Sequence, residues 1–240
     1  MSREGIYDIH CHIVPGVDDG SANYEETKKL LRMEYDQGVR NIIATPHFRF
    51  RMFETPLSKV REQIKLVQQA VAEIGDDFNI YLGCEFHANM EMVETLDRDF
   101  RPTLADSRYV LTEFSSSSTR AFIKERADAL LTAGYYPIIA HIERYRALRK
   151  DFDFIADLIE MGCEMQVNAD AVIGRNGLGA QRFCKKLMQE DMLHYVASDA
   201  HNLRGRASHM EECCEYLKKH MGRLYTSRIM RDNPSKIVET

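Results

Sequence analysis

Across its 240 residues the chain has no tryptophan, six prolines and no low-complexity stretch. No apolar run approaches the roughly 18 residues of a membrane span. The first five residues, Met1-Ser2-Arg3-Glu4-Gly5, lack the apolar core of a secretory leader. Membrane insertion and secretion are therefore not expected, and a cytoplasmic location is. An excess of positive charge is also missing. The formal net charge of −5 argues against a broad nucleic-acid surface. No Cys-x-x-Cys pair occurs among Cys11, Cys84, Cys163, Cys184, Cys213 and Cys214. Without a secretory segment these read as reduced, buried thiols. None is flanked by glycine and arginine as in cysteine-based phosphatases. No Gly-x-Gly-x-x-Gly follows the first strand, so a dinucleotide-binding sheet lacks its signature.

What is present is a pattern for one large core. Hydrophobic residues make up 44% and charged residues 29%, which suits a folded α/β domain over 1–240. Strands are predicted at 6–9, 41–44, 80–82, 109–112, 137–140, 164–167 and 194–197. Helices fall between them. The first is capped by Ser21 or Asn23 and ends at Gly38, and a long one follows Pro56 to about 74. Others cover 90–96, 119–134, the segment ending at Gly162, and 181–189 after a glycine-rich loop at 174–179. Terminal helices break before Pro234. Strand–helix alternation calls for parallel strands and right-handed crossovers. Functional residues at nearly every strand's C-terminal end favour a barrel of about seven βα units.

Those strand ends carry the chemistry. In a strand, His10 and His12 face the same side with Cα atoms roughly 7 Å apart, while Cys11 faces a packing layer. Asp19 lies in the next turn. His47, Glu85, Glu113, His141, Asp199 and His201 end later strands. A single histidine after a strand is ordinarily a polar loop residue, but five strand ends bearing ligand types are hard to obtain by chance. Mixed imidazole and carboxylate donors suit Zn, Mn or Fe(II) better than Ca or Mg. Nine candidates exceed the needs of one ion. Two or three ions about 3.5–4 Å apart would hold a water-derived hydroxide against a phosphoryl group. Arg144 and Arg206 follow ligand candidates closely, and their guanidinium forks match phosphate oxygens. The loop at 48–53, with Phe48, Arg49 and Arg51, either contacts substrate or packs over the barrel. His87, His194, His209 and His220 fall outside the pattern and read as structural.

The motifs Asp8-Ile9-His10-Cys11-His12, Val17-Asp18-Asp19-Gly20, Ala44-Thr45-Pro46-His47, Gly83-Cys84-Glu85, Ala140-His141-Ile142-Glu143-Arg144-Tyr145 and Ala197-Ser198-Asp199-Ala200-His201-Asn202 together resemble the polymerase-and-histidinol-phosphatase (PHP) superfamily. More narrowly they resemble its bacterial capsule-biosynthesis tyrosine phosphatase branch. Met52-Phe53-Glu54-Thr55-Pro56, Asp106-Ser107-Arg108-Tyr109 and Asp232-Asn233-Pro234 extend the likeness over nearly the whole chain. The resemblance implies a distorted TIM-like barrel, the PHP fold, with a trinuclear site. His10, His12, Glu85 and Asp199 would hold one ion, and Glu85, Glu113 and His141 a second. Asp19, His47 and His201 would hold the third. Mn²⁺ is the implied activator, with Fe or Zn as substitutes. Arg144 and Arg206 would hold the phosphate, with Phe48 and Arg49 near the substrate.

The implied substrate is the phosphotyrosine tail of a bacterial tyrosine kinase controlling capsular or exopolysaccharide assembly. Family precedent allows a homo-oligomer. Two departures from the wider superfamily stand out: Phe48 replaces a second histidine, and Glu113 replaces a histidine, the latter as in the narrower branch. A small-molecule phosphatase, such as one acting on histidinol phosphate, is the competing enzyme reading. A non-catalytic metal-binding kinase partner is the other class.

Overall fold

The computed structural model describes residues 5–239, so most of the stretch inspected for a leader, residues 1–4, lies outside it. In chain order the elements begin with β1 (Ile6–Cys11), α1 (Tyr24–Asp36), β2 (Val39–Ala44), β3 (His47–Phe48) and α2 (Leu57–Ile74). β4 (Asn79–Leu82), β5 (Glu85–His87), α3 (Met92–Asp97), β6 (Tyr109–Glu113), α4 (Arg120–Thr132) and β7 (Tyr136–Ile139) follow. Next come α5 (Phe152–Met161), β8 (Glu164–Asn168), α6 (Ala169–Val172), α7 (Leu178–Gln189) and β9 (Tyr195–Ala197). α8 (Met210–Met221), α9 (Arg223–Ser227) and α10 (Asn233–Val238) close the chain.

Local chemistry explains several boundaries. Asn23 caps α1 by accepting from the Glu26 backbone N–H, Thr119 caps α4 through Phe122, and Asp151 caps α5 through Phe154. Gly162 ends α5 with φ 112°, a conformation that an L side chain resists. The expected break before Pro234 is absent. A π-helical turn over Arg228–Asp232 leads directly into α10, and Pro234 stands at that helix's start just after the wider turn, where a residue without an N–H is accommodated. The glycine-rich loop is also shorter than expected, because α7 already begins at Leu178.

All ladders are parallel, and they form two sheets ordered β1-β2-β4 and β3-β5-β6-β7-β8-β9. Together they make a curled half-barrel. A complete closed barrel of seven regular units is not what forms. The reason is local. The run from β2 to β3 is interrupted at Thr45-Pro46, where proline offers no ladder donor. The run from β4 to β5 is interrupted at Gly83-Cys84. Gly83 approaches its neighbours so closely that a Cβ there would sit 2.7 Å from Leu104 Cδ2. Backbone bonds still span these breaks, from Gly83 N to Ala44 O at 2.8 Å and from Glu85 N to Pro46 O at 3.2 Å. On the far side, Asp199 N donates to His10 O at 2.8 Å, and His12 N to Ala200 O at 2.9 Å.

The apolar core has two parts. The larger lies between sheet and helices and includes Leu30, Leu31, Phe86, Tyr145, Leu158 and Leu187. The smaller lies on the inner face, with Ile9, Ile43, Leu111, Ile138 and Tyr195, closed below by Leu104 and Ile237. All six cysteines are free and buried, as thiols packed like small apolar groups. A register shift between Asp8 and Cys11 interrupts the simple alternation of β1 and groups both residues with Glu34 of α1.

Candidate metal centre

The polar residues left by this core gather at the strands' C-terminal ends. Glu85 is the hub. Its Oε2 lies 3.2 Å from His10 Nε2, 3.2 Å from His12 Nε2 and 2.8 Å from His47 Nδ1. Its Oε1 lies 2.8 Å from His141 Nε2. Asp199 Oδ1 stands 3.5 Å from His10 Nε2 and 3.6 Å from His12 Nε2. Asp19 Oδ1 is 3.4 Å from His47 Nε2 and 3.5 Å from His201 Nε2. Glu113 Oε1 approaches His141 Nε2 to 3.9 Å. All nine expected residues therefore meet, although they come from positions 10 to 201.

Three overlapping donor groups result, each with all ligand atoms within 4.8 Å of one another. One is His10, His12, Glu85 and Asp199. The second is His12, Asp19, His47 and His201, and the third is His47, Glu85 and Glu113. The partition differs in detail from that implied by the resemblance: His12 and His47 each fall in two groups, and His141 contacts the centre through Glu85. Two of the residues sit on left-handed backbone, His141 with φ 32° and Asp199 with φ 54°. For non-glycine residues this is a strained conformation, tolerated where the surroundings fix it.

The donor set fits cations on its own chemistry. Glu85 Oε2, Glu113 Oε2, His47 Nδ1 and His201 Nε2 are buried and form no aligned hydrogen bond, short separations notwithstanding. Buried polar atoms without partners are costly, and a cation in their midst removes that cost. Outer partners also fix the imidazoles. His12 Nδ1 donates to Asp18 Oδ2 at 2.8 Å, and His201 Nδ1 to the Asp199 carbonyl at 2.9 Å. His10 Nδ1 faces Gln166 Oε1 at 3.4 Å. With a proton on each outer nitrogen, the Nε2 lone pairs turn inward.

Electrostatics agree with a site built for positive charge. Burial alone would lower the His12 imidazole, but Asp18 and Glu85 raise it to about 10. Burial opposes ionisation of Glu85, yet the adjacent His10 and His47 hold it well below the usual carboxylate range. Asp199 is likewise held low by His10 and Arg144 against its burial. Glu113 is pushed up to about 7 by burial and by the neighbouring charge of Glu85. Burial and Arg144 bring His141 down to about 4.

Both expected arginines reach this centre. Arg144 Nη2 donates to Asp199 Oδ2 at 2.6 Å. Arg206 donates to Asp199 Oδ1 at 3.2 Å and to Asp19 Oδ2 at 3.3 Å. The loop residues divide. Arg49 carries its charge close to Glu113 and His87. Phe48 instead packs edge-on against Phe86, with the Arg101 guanidinium 3.9 Å from its ring centroid. This places Phe48 in the packing layer, where an adjoining apolar ring and a cation cover it. Phe53 is the loop aromatic at the centre, stacked on His47 with 5.0 Å between ring centroids and 9° between planes.

Several residues escaped sequence reasoning. β8 supplies no ligand candidate, yet Gln166 and Asn168 tie the others together. Gln166 Oε1 accepts from His141 N at 2.7 Å, and its Nε2 donates to Asn168 Oδ1 at 3.0 Å. Asn168 Nδ2 then donates to Asp199 Oδ2 at 2.8 Å. Amides alternating at the end of an otherwise apolar strand were the available signal. Asp18, adjacent to Asp19, was visible only as part of a turn. Tyr145, whose hydroxyl lies 3.1 Å from His141 Nδ1, appeared only as the last residue of the Ala140–Tyr145 motif, with no role of its own.

Fold and site define an α/β protein with a buried cluster of histidines and carboxylates suited to hold metal ions and two guanidinium groups at its mouth, the equipment of a metal-assisted phosphoester hydrolase. The family model for capsular polysaccharide synthesis, CpsB/CapC, matches residues 6–239, and the chain belongs to that family. It is 40% identical over 238 residues to the tyrosine-protein phosphatase CpsB of Streptococcus pneumoniae, covering 97% of this chain and 98% of that one. Among solved structures, the set describing YwqE from Bacillus subtilis and CpsB from Streptococcus pneumoniae as unique metal-dependent tyrosine phosphatases aligns with TM-score 0.90 and 29% identity. That match covers 98% of this chain and 94% of the other. A phosphotriesterase homology protein from Escherichia coli aligns with TM-score 0.59 and 15% identity, over 98% and 99% of the two chains, and shares the fold alone.

Proposed function

We propose that this chain is a metal-dependent protein-tyrosine phosphatase acting on the phosphotyrosine tail of a bacterial tyrosine kinase, and so regulating capsular or exopolysaccharide assembly. The observation that carries this reading is the hub at Glu85, a fully buried carboxylate faced by four imidazoles and adjoining an acid held by two arginines. Kinship with proteins named tyrosine-protein phosphatases supports the substrate class.

The ligands are His10, His12, Asp19, His47, Glu85, Glu113, His141, Asp199 and His201, holding two or three ions. Mn²⁺ is the favoured ion, with Fe or Zn as substitutes. Bound divalent cations supply Lewis acidity and an activated water. The chain's own residues do the rest. Asp18, Gln166 and Asn168 keep the ligands oriented. Arg144 and Arg206 sit half-exposed and held by carboxylates. On substrate entry they exchange part of that pairing for phosphate oxygens, and charge building up on the transferring phosphoryl group is offset by their cations. Phe53 and Arg49 flank the entering side chain. No described helix is long and apolar enough to cross a membrane, which fits the cytoplasmic location proposed here. The chain acts as one PHP-type domain over 1–240, its two parallel sheets forming a curled half-barrel.

Metal analysis of the purified protein, coupled to a turnover panel, tests the reading. Mn²⁺ should support hydrolysis of p-nitrophenyl phosphate and of phosphotyrosyl peptides, the latter well above histidinol phosphate. Chelation should abolish both activities. Turnover that survives complete metal removal, or a preference for histidinol phosphate, would overturn it.

A further inference from the structure

Immediately after Arg144 the chain forms the turn Tyr145-Arg146-Ala147-Leu148-Arg149-Lys150 before α5 begins. Tyr145 and Leu148 are fully buried and anchor this turn in the core. The anchoring leaves Arg146, Arg149 and Lys150 exposed, like Arg144 itself. These three cations, with Gly179 and Phe183 of α7, line a cavity of about 420 Å³. Arg146 lies two residues beyond Arg144, so the cavity adjoins the turn that carries Arg144 to Asp199. α7 follows β8 and packs against the 142–144 turn at the end of β7, so its first turn stands at the strands' C-terminal ends.

Two observations mark this cavity as something other than a solvated charged face. First, none of Arg146, Arg149 and Lys150 forms an ion pair among the described residues. Of the acids nearest in sequence, Asp153 is exposed at the start of α5 and pairs with none of the three, and the other two are engaged elsewhere. Glu143 is buried and accepts from Asn168 N, and Asp151 caps α5 and pairs with Arg120. Second, the start of α7 leaves room for a guanidinium. A Cβ at Gly179 would stand 3.1 Å from Arg149 Nη2, so the glycine lets that group lie directly against the start of α7. Four cations within seven residues repel one another, and the protein as a whole carries −5. An anion is what this arrangement lacks.

We propose that the cavity binds a second oxyanion, a carboxylate or a phosphate, on the same peptide whose phosphotyrosine occupies the metal centre. This rests on the phosphatase reading and adds a subsite to it, one that favours tails with a further anionic group beside the reacting phosphotyrosine. Arg144 grips the phosphate to be removed, and the turn continuing from it grips a neighbouring anion. The consequence is processive preference. A multiply phosphorylated tail stays bound better than one nearing complete dephosphorylation.

The test uses the Mn²⁺-loaded full chain and three phosphotyrosyl peptides that differ at one flanking position, placed in turn on each side. The flanking residue is Gln, Glu or a second phosphotyrosine. The two anionic peptides should exceed the neutral one roughly tenfold in kcat/KM, mainly through KM, with the gain shrinking as salt is raised. The triple substitution Arg146→Gln, Arg149→Gln and Lys150→Gln should bring the three peptides to within about twofold. These side chains are exposed, and circular dichroism would confirm that the variant is folded. If the wild type turns over all three peptides equally, or the variant keeps the preference, the pocket is overturned while the phosphatase reading survives. If no peptide is hydrolysed but fluorescence anisotropy still shows tighter, variant-sensitive binding of the anionic peptides, the phosphatase reading is overturned and the pocket is supported.

Discussion

Replacing Gln166 by Leu should loosen the metal centre without touching a ligand. The side chain is wholly buried and makes three contacts: it accepts from His141 N at 2.7 Å and from His10 Nδ1 at 3.4 Å, and donates to Asn168 Oδ1 at 3.0 Å. Leucine fills similar volume and offers none of these. Two well-formed bonds are lost, leaving a buried N–H and a buried amide oxygen unpaired. Each costs roughly 1–3 kcal/mol, and the 3.4 Å contact adds little. The expected stability loss is about 2–4 kcal/mol, and for a chain of this size the melting temperature falls by about 5–15 °C. His10 also loses the acceptor that keeps its proton on Nδ1, so its Nε2 lone pair no longer points inward by default. Losing such an outer partner typically weakens metal affinity about 10- to 100-fold. Competition with a chelating dye measures this directly, and thermal melts of the metal-stripped protein isolate the stability term. Gln166→Glu is a sharper control, since it can still accept but faces Asn168 Oδ1 with like polarity. Metal affinity unchanged within about twofold in Gln166→Leu would refute the idea that β8 orients the ligands.

Three further outcomes are expected. Arg144→Ala should lower kcat on phosphotyrosyl substrates by about 10²–10³-fold, with Arg144→Lys recovering part, because a preorganised cation near the phosphate is removed; an unchanged kcat counts against the clamp. Phe48→Ala should cost about 3–5 kcal/mol or less of stability in chemical denaturation with little change in KM, since the ring packs on Phe86, whereas Phe53→Ala, beside His47, should raise KM with a smaller stability cost. Glu34 is fully buried on α1, and its acid is raised well above 4.5 by burial and then by Asp8. Its folded form therefore keeps a proton that the unfolded chain releases, so its stability contribution is complete below about 4.5 and is lost as pH rises above it, with a slope of up to about 1.4 kcal/mol per pH unit. Glu34→Gln should flatten the decline in metal-free stability from acid to neutral pH, and a parallel decline in both proteins refutes the assignment.

The residues that hold chemistry were legible along the chain because each ligand type closes a short apolar run. Strand ends at Glu113, His141 and Asp199 could be read from composition and turn signals alone, whereas His47 and Glu85, expected to end strands, open the short strands β3 and β5. Helix boundaries were readable for the same reason: Asn23 and Thr119 cap by contacts within three residues, and Gly162 ends α5 through its own backbone freedom. Where sequence reasoning failed, the competing forces were non-local. Phe48 reads as a loop aromatic, yet Phe86 and Arg101 claim its ring. Pro234 reads as a helix breaker, yet a preceding π turn makes it a first-turn residue.

By itself the sequence determined which residues carry charge and lone pairs, and that parallel strands with crossing helices would present them at one end. Only the tertiary structure decided which donors share a point in space. Glu85 faces four imidazoles, His12 and His47 serve two groups each, and β8 supplies amides in place of ligands. The physical reason is range. Turn chemistry and periodicity act within a few residues, whereas the split at Pro46 and Gly83 and the bulge in β1 shift whole side chains by ångströms, and coordination is settled on that scale.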